Sequence, residues 1–299
     1  MPTALSSRPP AQTPAQVGPG PGFLKRHEIG RALAVGAVIL CVIVLAVLAA
    51  PLLAPSDPNM PNLMTVRLPP SAANWFGTDA VGRDLLSRIL WGGQISLLVA
   101  GTGMIGSLTF GTTMGLLRAF GPGWLRPVVD RAIEVQLAFP YVLLGIAITS
   151  AIRPSVPVLI LLMVLAGWAG VARVVRAIAL QERVKDYVKS AEIIGVPLTR
   201  IALVHVFPTV WPTLMVLAAM QLSAMIVFEA TLSFLGMGVQ PPTASWGGIM
   251  LDGKNYITSS WWLTLLPGLA IMLTSLSLVL IGDGLEARTE RLRSGESDA

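Results

Sequence analysis

Few side chains in this sequence are spaced for bond-making chemistry. The two histidines, His27 and His205, stand far apart, and neither a His-Glu-x-x-His pair for zinc nor a Gly-x-Ser-x-Gly turn for a serine nucleophile occurs. His205 reads as a loop residue, not a ligand. The single cysteine, Cys41, lies inside an apolar run, so neither an intramolecular disulfide nor a thiolate metal site can form. Asp79 and Asp84 could be imagined as a cation pair, but Arg83 and Arg88 are close enough to make an ordinary polar network of them. Two glycine patterns imitate nucleotide sites. Gly101-x-Gly103-x-x-Gly106 has the dinucleotide spacing, yet it lies in an apolar run with no strand before it and no acid about 20 residues later; like Gly111-x-x-x-Gly115 it reads as a helix-packing stripe. Gly248-x-x-x-x-Gly253-Lys254-Asn255 nearly spells a phosphate loop, but Asn255 replaces the magnesium-binding Ser or Thr. The expectation is a non-catalytic chain that itself binds no cofactor, nucleotide or metal.

What remains is a polar segment between long apolar runs: Tyr187-Val188-Lys189-Ser190-Ala191-Glu192-Ile193-Ile194-Gly195-Val196-Pro197, then Leu198 through Pro208. Gly195-Val196-Pro197 should stop one helix, since Gly suits a left-handed cap and Pro cannot continue the ladder. A second short helix should begin near Thr199, with Pro208 and Pro212 separating it from the next apolar run. Two short helices joined by a sharp turn across the base of a membrane protein make a rigid lever that a soluble partner can grip. The stretch from Arg173 to Arg200 carries six bases and three acids, a net +3 that suits an acidic partner or anionic lipid head groups.

Such a lever needs apolar elements above it. The chain is 54% hydrophobic and only 12% charged, about half the charge of an ordinary soluble domain, with mean hydropathy +0.71. Apolar runs fall at 32–54, 94–117, 133–152, 156–171, 210–228 and 262–281. The first, at about 1.5 Å per residue, covers about 34 Å and is too long for a signal-peptide core, so it reads as an uncleaved span. Pro140 interrupts the third run, and Arg153-Pro154-Ser155 makes a tight reversal into the fourth. Leu85, Leu86, Ile89 and Leu90 share one helical face and suggest an interfacial helix entering the second run. The fold class is therefore all-α and polytopic, with about six transmembrane helices. Residues 1–24 read as a disordered cytoplasmic tail, 25–290 as the transmembrane unit and 291–299 as a second cytoplasmic tail. Loops 55–93 and 229–261 would lie outside and 172–209 inside. Sixteen Lys and Arg then fall on the inner side against five on the outer, which puts both termini in the cytoplasm and leaves no basic patch for nucleic acid.

The polar segment resembles the cytoplasmic coupling loop of ATP-driven importer permeases, in their dipeptide and oligopeptide branch. The matching residues are Asp186-Tyr187-Val188-x-x-Ala191-x-x-x-Gly195 and His205-x-x-Pro208; Lys189 and Ser190 replace the Glu-Ala of the general consensus, and Phe207 its Leu. Trp75-Phe76-Gly77-Thr78-Asp79-x-x-Gly82-Arg83-Asp84, Ser233-Phe234-Leu235-Gly236-x-Gly238-Val239-Gln240-Pro241-Pro242-x-x-x-Trp246-Gly247 and Gly282-Asp283-Gly284-Leu285 are similar to further signatures of the C-type subunit.

The resemblance implies a type I ATP-binding-cassette importer permease fold, with cytoplasmic coupling helices between spans 4 and 5, in the bacterial inner membrane. It implies four kinds of partner: a homologous B-type permease subunit, two ATP-binding subunits or a fused ATPase that hold ATP and Mg, an extracytoplasmic solute-binding protein, and the lipid bilayer. ATPase coupling would fall to Tyr187, Lys189, Ser190, Ala191, Glu192, Gly195, Arg200 and Pro208. Gly77, Asp79, Arg83, Asp84, Gln240 and Trp246 would face the binding protein or partner subunit. Dipeptides, longer oligopeptides and nickel chelates are all cargo of permeases with such loops. The alternative, an ion-coupled secondary transporter or channel, wants ionisable groups near the bilayer midplane, whereas Glu134, Glu229 and Asp283 stand at the ends of apolar runs.

Overall fold

The computed structural model describes residues 26–295, with side chains from 30 to 289, so the tail expected at 1–24 lies outside the described residues. The helices are α1 (Arg26–Leu48), α2 (Ala50–Leu53), α3 (Leu85–Phe120), α4 (Leu125–Ala138), α5 (Tyr141–Ala151), α6 (Val156–Arg183), α7 (Asp186–Ile193), α8 (Leu198–Arg200), α9 (Phe207–Phe234), α10 (Trp246–Gly253) and α11 (Trp262–Gly295). Among the described residues no strand forms beyond an isolated bridge between Thr78 and Asp84. Among the described residues five helices are long and apolar enough to cross a bilayer, and α4 with α5 makes a sixth when the bent pair is taken together. That pair bends by 88°. The ring of Pro140 holds Phe139 in an extended conformation, so the helix cannot continue through it.

Several elements run further than the apolar runs that announce them. Asp84 caps α3, its carboxylate accepting from the Ser87 backbone N–H at 2.8 Å. Leu85, Ile89 and Leu90 are therefore the first turns of a 36-residue helix about 54 Å long, not a separate interfacial helix. Likewise α6 continues to Arg183 and shortens the expected 172–209 loop, and α11 carries the chain through 295, past the expected boundary at 290.

The largest correction concerns Pro208 and Pro212, which do not separate a short helix from the next span. Residues 198–234 form one continuous helical rod, with a wide, π-type turn over 201–206 between α8 and α9. Neither proline can donate to the ladder; Pro208 stands at the start of α9, directly after the wide turn, and Pro212 is carried inside it.

Small residues set the closest packing. A Cβ on Gly103 would lie 2.2 Å from the Met163 side chain, one on Gly111 2.5 Å from the Trp168 carbonyl, and one on Gly115 2.8 Å from Val175. The stripe read from the sequence thus lets α3 and α6 touch backbone to backbone; Gly101 alone of it meets nothing. Buried side chains then fall into two main cores. One joins Leu85, Ile89, Leu159, Met163, Ile226, Leu232, Trp246 and Leu263 at the end where α3 begins. The other joins Phe120, Val175, Val188, Ala191, Ile201, Val206 and Val210 at the end where α3 stops.

Candidate functional site

At this second end α7 is clamped to the bundle from three directions. Val188 and Ala191, three residues apart on one helical face, are buried against α6 and the 201–206 turn. At its start, the Tyr187 hydroxyl and Lys185 Nζ each donate at 2.7 Å to the buried Glu182 carboxylate of α6. Burial, with Glu182 beside it, pushes the Tyr187 phenol up to about 12, so it stays a neutral donor at physiological pH. Along its length, Arg183 lies 3.5 Å from Glu192, donates to the Ala119 carbonyl and stacks over the Phe120 ring. One guanidinium thereby joins the ends of α3, α6 and α7.

The helix then ends as its composition requires. Gly195 takes φ +81°, its N–H donating to Glu192 O at 3.1 Å, while Val196 N–H donates to Ala191 O at 3.0 Å. This pair of bonds closes a helix through a left-handed residue. The turn pushes Ile193 and Ile194 outward, 84% and 78% exposed, at the tip of an otherwise polar face that carries Lys189 and Ser190. Of the residues expected to couple, Tyr187, Lys189, Ser190, Glu192 and Gly195 are exposed around this tip, Ala191 is its seat and Arg200 is exposed just beyond it. Pro208 stands apart, at the base of α9. Sequence reasoning missed Ile193, Ile194, Glu182 and Arg183. Two adjacent isoleucines cannot both face the core from so short a helix, which is the signal that could have found the first pair.

The opposite end is held by buried charge. Asp79 accepts from Arg83 Nε and Arg88 Nη1, both at 2.6 Å, and Arg88 reaches Asp252 at 2.9 Å, joining the 55–84 loop to α10. Burial alone would raise the Asp79 carboxyl, but Arg88, the backbone N–H groups of Arg83 and Val81, and the Arg83 guanidinium outweigh it and hold it below the ordinary aspartate range. Trp262 Nε1 donates to Thr78 O at 3.2 Å, and Trp246 Nε1 to Ile89 O at 2.9 Å. Gly77 and Gly82 have positive φ, and a Cβ on Gly82 would strike the Asn62 carbonyl at 1.8 Å. Gly77, Asp79, Asp84 and Trp246 were expected on a partner surface. The structure buries all four within this chain: Asp79 is bridged through Arg88 to Asp252, Asp84 accepts from Asn74 and Ser87, the Gly77 backbone pairs with Asn74 and Leu85, and the Trp246 indole is turned onto α3. Arg83 is largely covered, and Gln240 alone of the six is exposed. Asp252, which completes the network, carries no motif that would have marked it.

Glu229 is fully buried inside α9, several residues before its end. Ser96 of α3 donates to one carboxylate oxygen at 2.9 Å and Ser233 to the other at 2.6 Å; Ser245, at the cap of α10, donates to Ser233 at 3.2 Å. The carboxylate is a staple of three helices. The near phosphate loop at 248–255 is also structural: it is the body of α10, and a Cβ on Gly253 would lie 2.7 Å from Leu263.

Residues 107–291 match the family described as binding-protein-dependent transport system inner membrane component, and residues 31–70 match the N-terminal transmembrane domain of oligopeptide transport permease C. The chain is 38% identical over 265 residues to a putative peptide transport system permease protein of Brucella abortus, covering 88% of this chain and 87% of the relative. It is 35% identical over 284 residues to the di/tripeptide transport system permease protein DppC of Pseudomonas aeruginosa, covering 92% and 94%. With the probable D,D-dipeptide transport system permease protein DdpC of Escherichia coli it shares 37% identity over 254 residues, covering 83% and 84%.

Proposed function

The chain belongs to the family of binding-protein-dependent transport system inner membrane components, and from that premise we propose that it is one permease half of an ATP-driven importer of peptides. The observation that carries the coupling mechanism is the mounting of α7: an exposed Ile193-Ile194 tip on a seat buried among the ends of α3, α6 and α9. Two isoleucines left in water each forgo about 1.5–3 kcal/mol of burial, so the tip is built to be covered. A pair of ATPase subunits binding ATP and Mg would cover it. Their closure would push α7, and because Val188 and Ala191 are packed without slack, the push would pass into the three helix ends and alternate access to a pathway shared with a homologous B-type subunit. Tyr187, Lys189, Ser190, Glu192, Gly195 and Arg200 would surround that contact. A solute-binding protein would deliver cargo at the end held by Asp79 and Asp252, with exposed Gln240 on its approach. Positive-inside charge supports placing α7 and both termini in the cytoplasm of a bacterial inner membrane. Nothing in the comparisons favours the ion-coupled alternative, and Glu229 has a structural use.

The test is uptake of labelled di- and oligopeptides into proteoliposomes holding this chain, the partner permease, the ATPases and the binding protein. Uptake should require ATP and disappear in Gly195→Pro and in Ile193→Asp while the permease pair still assembles. Equal uptake without ATPases would sink the pump reading. ATP hydrolysis without uptake of any peptide would move the proposal to another cargo of the same family.

A further inference from the structure

Two arginines pair with a single acid at the α7 end of α3, α4 and α6, and two more stand about one turn away on α4 and α6. Asp130 of α4 accepts from Arg118 Nε of α3 at 2.7 Å, and Arg176 Nη1 of α6 lies 2.7 Å from its other carboxylate oxygen. Arg126 stands about one turn before Asp130 on α4, and exposed Arg173 about one turn before Arg176 on α6. Neither has an acidic partner among the described residues, so the group keeps three uncompensated positive charges (four bases against one acid). The Arg126 Nε is buried with no acceptor. The first turn of α4 has no side-chain cap; its Leu125 N–H donates to the Pro122 carbonyl at 3.0 Å, and Pro127 brings no donor. Beside them are two exposed apolar side chains, Trp124 at 71% and Val128 at 54%. Tryptophan favours the boundary between water and acyl chains.

We propose that this corner binds the phosphate of an anionic phospholipid of the cytoplasmic leaflet. A guanidinium matches two phosphate oxygens at once, and a phosphate at this corner would offset the uncompensated charge of Arg126 and of exposed Arg173. The lipid, not a free phosphate, is the occupant because the same corner offers Trp124 and Val128 to the glycerol and first acyl carbons. A basic pocket between helices on the cytoplasmic side is the setting in which such head groups are held. The inference uses the orientation proposed above but not the peptide cargo, so it can fail while the transport reading stands.

The test is native mass spectrometry of the delipidated full chain, and of the assembled transporter, titrated with phosphatidylglycerol, phosphatidylcholine or inorganic phosphate. Phosphatidylglycerol should bind preferentially, and each of Arg126→Gln and Arg173→Gln should weaken it about fivefold, with Arg131→Gln, whose side chain pairs with Glu134, unchanged. Because Arg173 is exposed, its variant should keep the wild-type melting profile. Equal affinity for phosphatidylcholine, unaltered binding in both variants, saturation by inorganic phosphate alone, or loss of the site on assembly with partner subunits would each overturn the proposal.

Discussion

At the scale of single residues, the functional end depends on a few groups whose replacements have calculable effects. Gly195 is held at φ +81° with open space around its Cα, so Gly195→Ala meets no clash and costs only the left-handed backbone, about 1–2 kcal/mol. Hydrogen exchange across 186–196 should quicken by that margin, with uptake reduced but present; unchanged exchange would remove the cap from the mechanism. Tyr187→Phe removes one donor from Glu182 but leaves Lys185, and should loosen α7 by about 1 kcal/mol. At the other end, Asp79 has a folded pKa below its unfolded value. Its contribution to stability is therefore complete above the usual aspartate pKa of about 3.9 and is lost as pH falls through the folded value. Emission from the tryptophans, of which Trp246 and Trp262 are buried at this end, should stay constant from pH 8 to 5 and change only below about pH 4. A transition near pH 6 would mean that another group controls the region. For Glu229, a Gln variant can keep a hydroxyl bond on each side of its amide, so transport should persist with a loss of about 1 kcal/mol in stability, whereas Glu229→Leu should unstaple α3 from α9. Abolished uptake in Glu229→Gln with ATP hydrolysis intact would instead point to an ionic role.

Elements impose a different kind of constraint, because a helix moves as a unit. The line of Gly103, Gly106, Gly111 and Gly115 lets α3 lie directly on α6, and Gly111→Val would place methyl groups where the Trp168 carbonyl and Val171 now sit. Overpacking of this kind costs about 1–3 kcal/mol, and it should appear as reduced recovery of folded chain before any transport defect. A folded, fully active Gly111→Val protein would show that α3 and α6 can separate freely. The wide turn at 201–206, followed by Pro208 and Pro212, leaves the base of α9 short of two backbone donors. This is where the push proposed for α7 would arrive, since Ile201 and Val206 share a core with Val188.

For the whole molecule, the two ends are built differently on one frame: buried ion pairs and tryptophans close one end, and the other presents a mounted helix with an exposed apolar tip. Much of this was legible from residue order. Apolar runs of membrane length, the Pro140 break, the charge bias between loops, the glycine stripe and the Gly195 stop follow from local geometry and composition, which a linear sequence states directly. Its motifs also matched the transport family before any contact was known. Contacts between residues distant in the chain were not legible. Arg88 meets Asp252 across 164 positions, and Asp79, Asp84 and Trp246 turned inward although their motifs sit in loops that looked like surface. Ile193 and Ile194 face water because Val188 and Ala191 form the buried face of α7. Hydropathy period and helix stops act over a few residues, so the kind of protein can be read from residue order. Which polar groups are structural and which stay exposed emerges in the folded chain, because burial and charge pairing depend on what distant segments bring alongside.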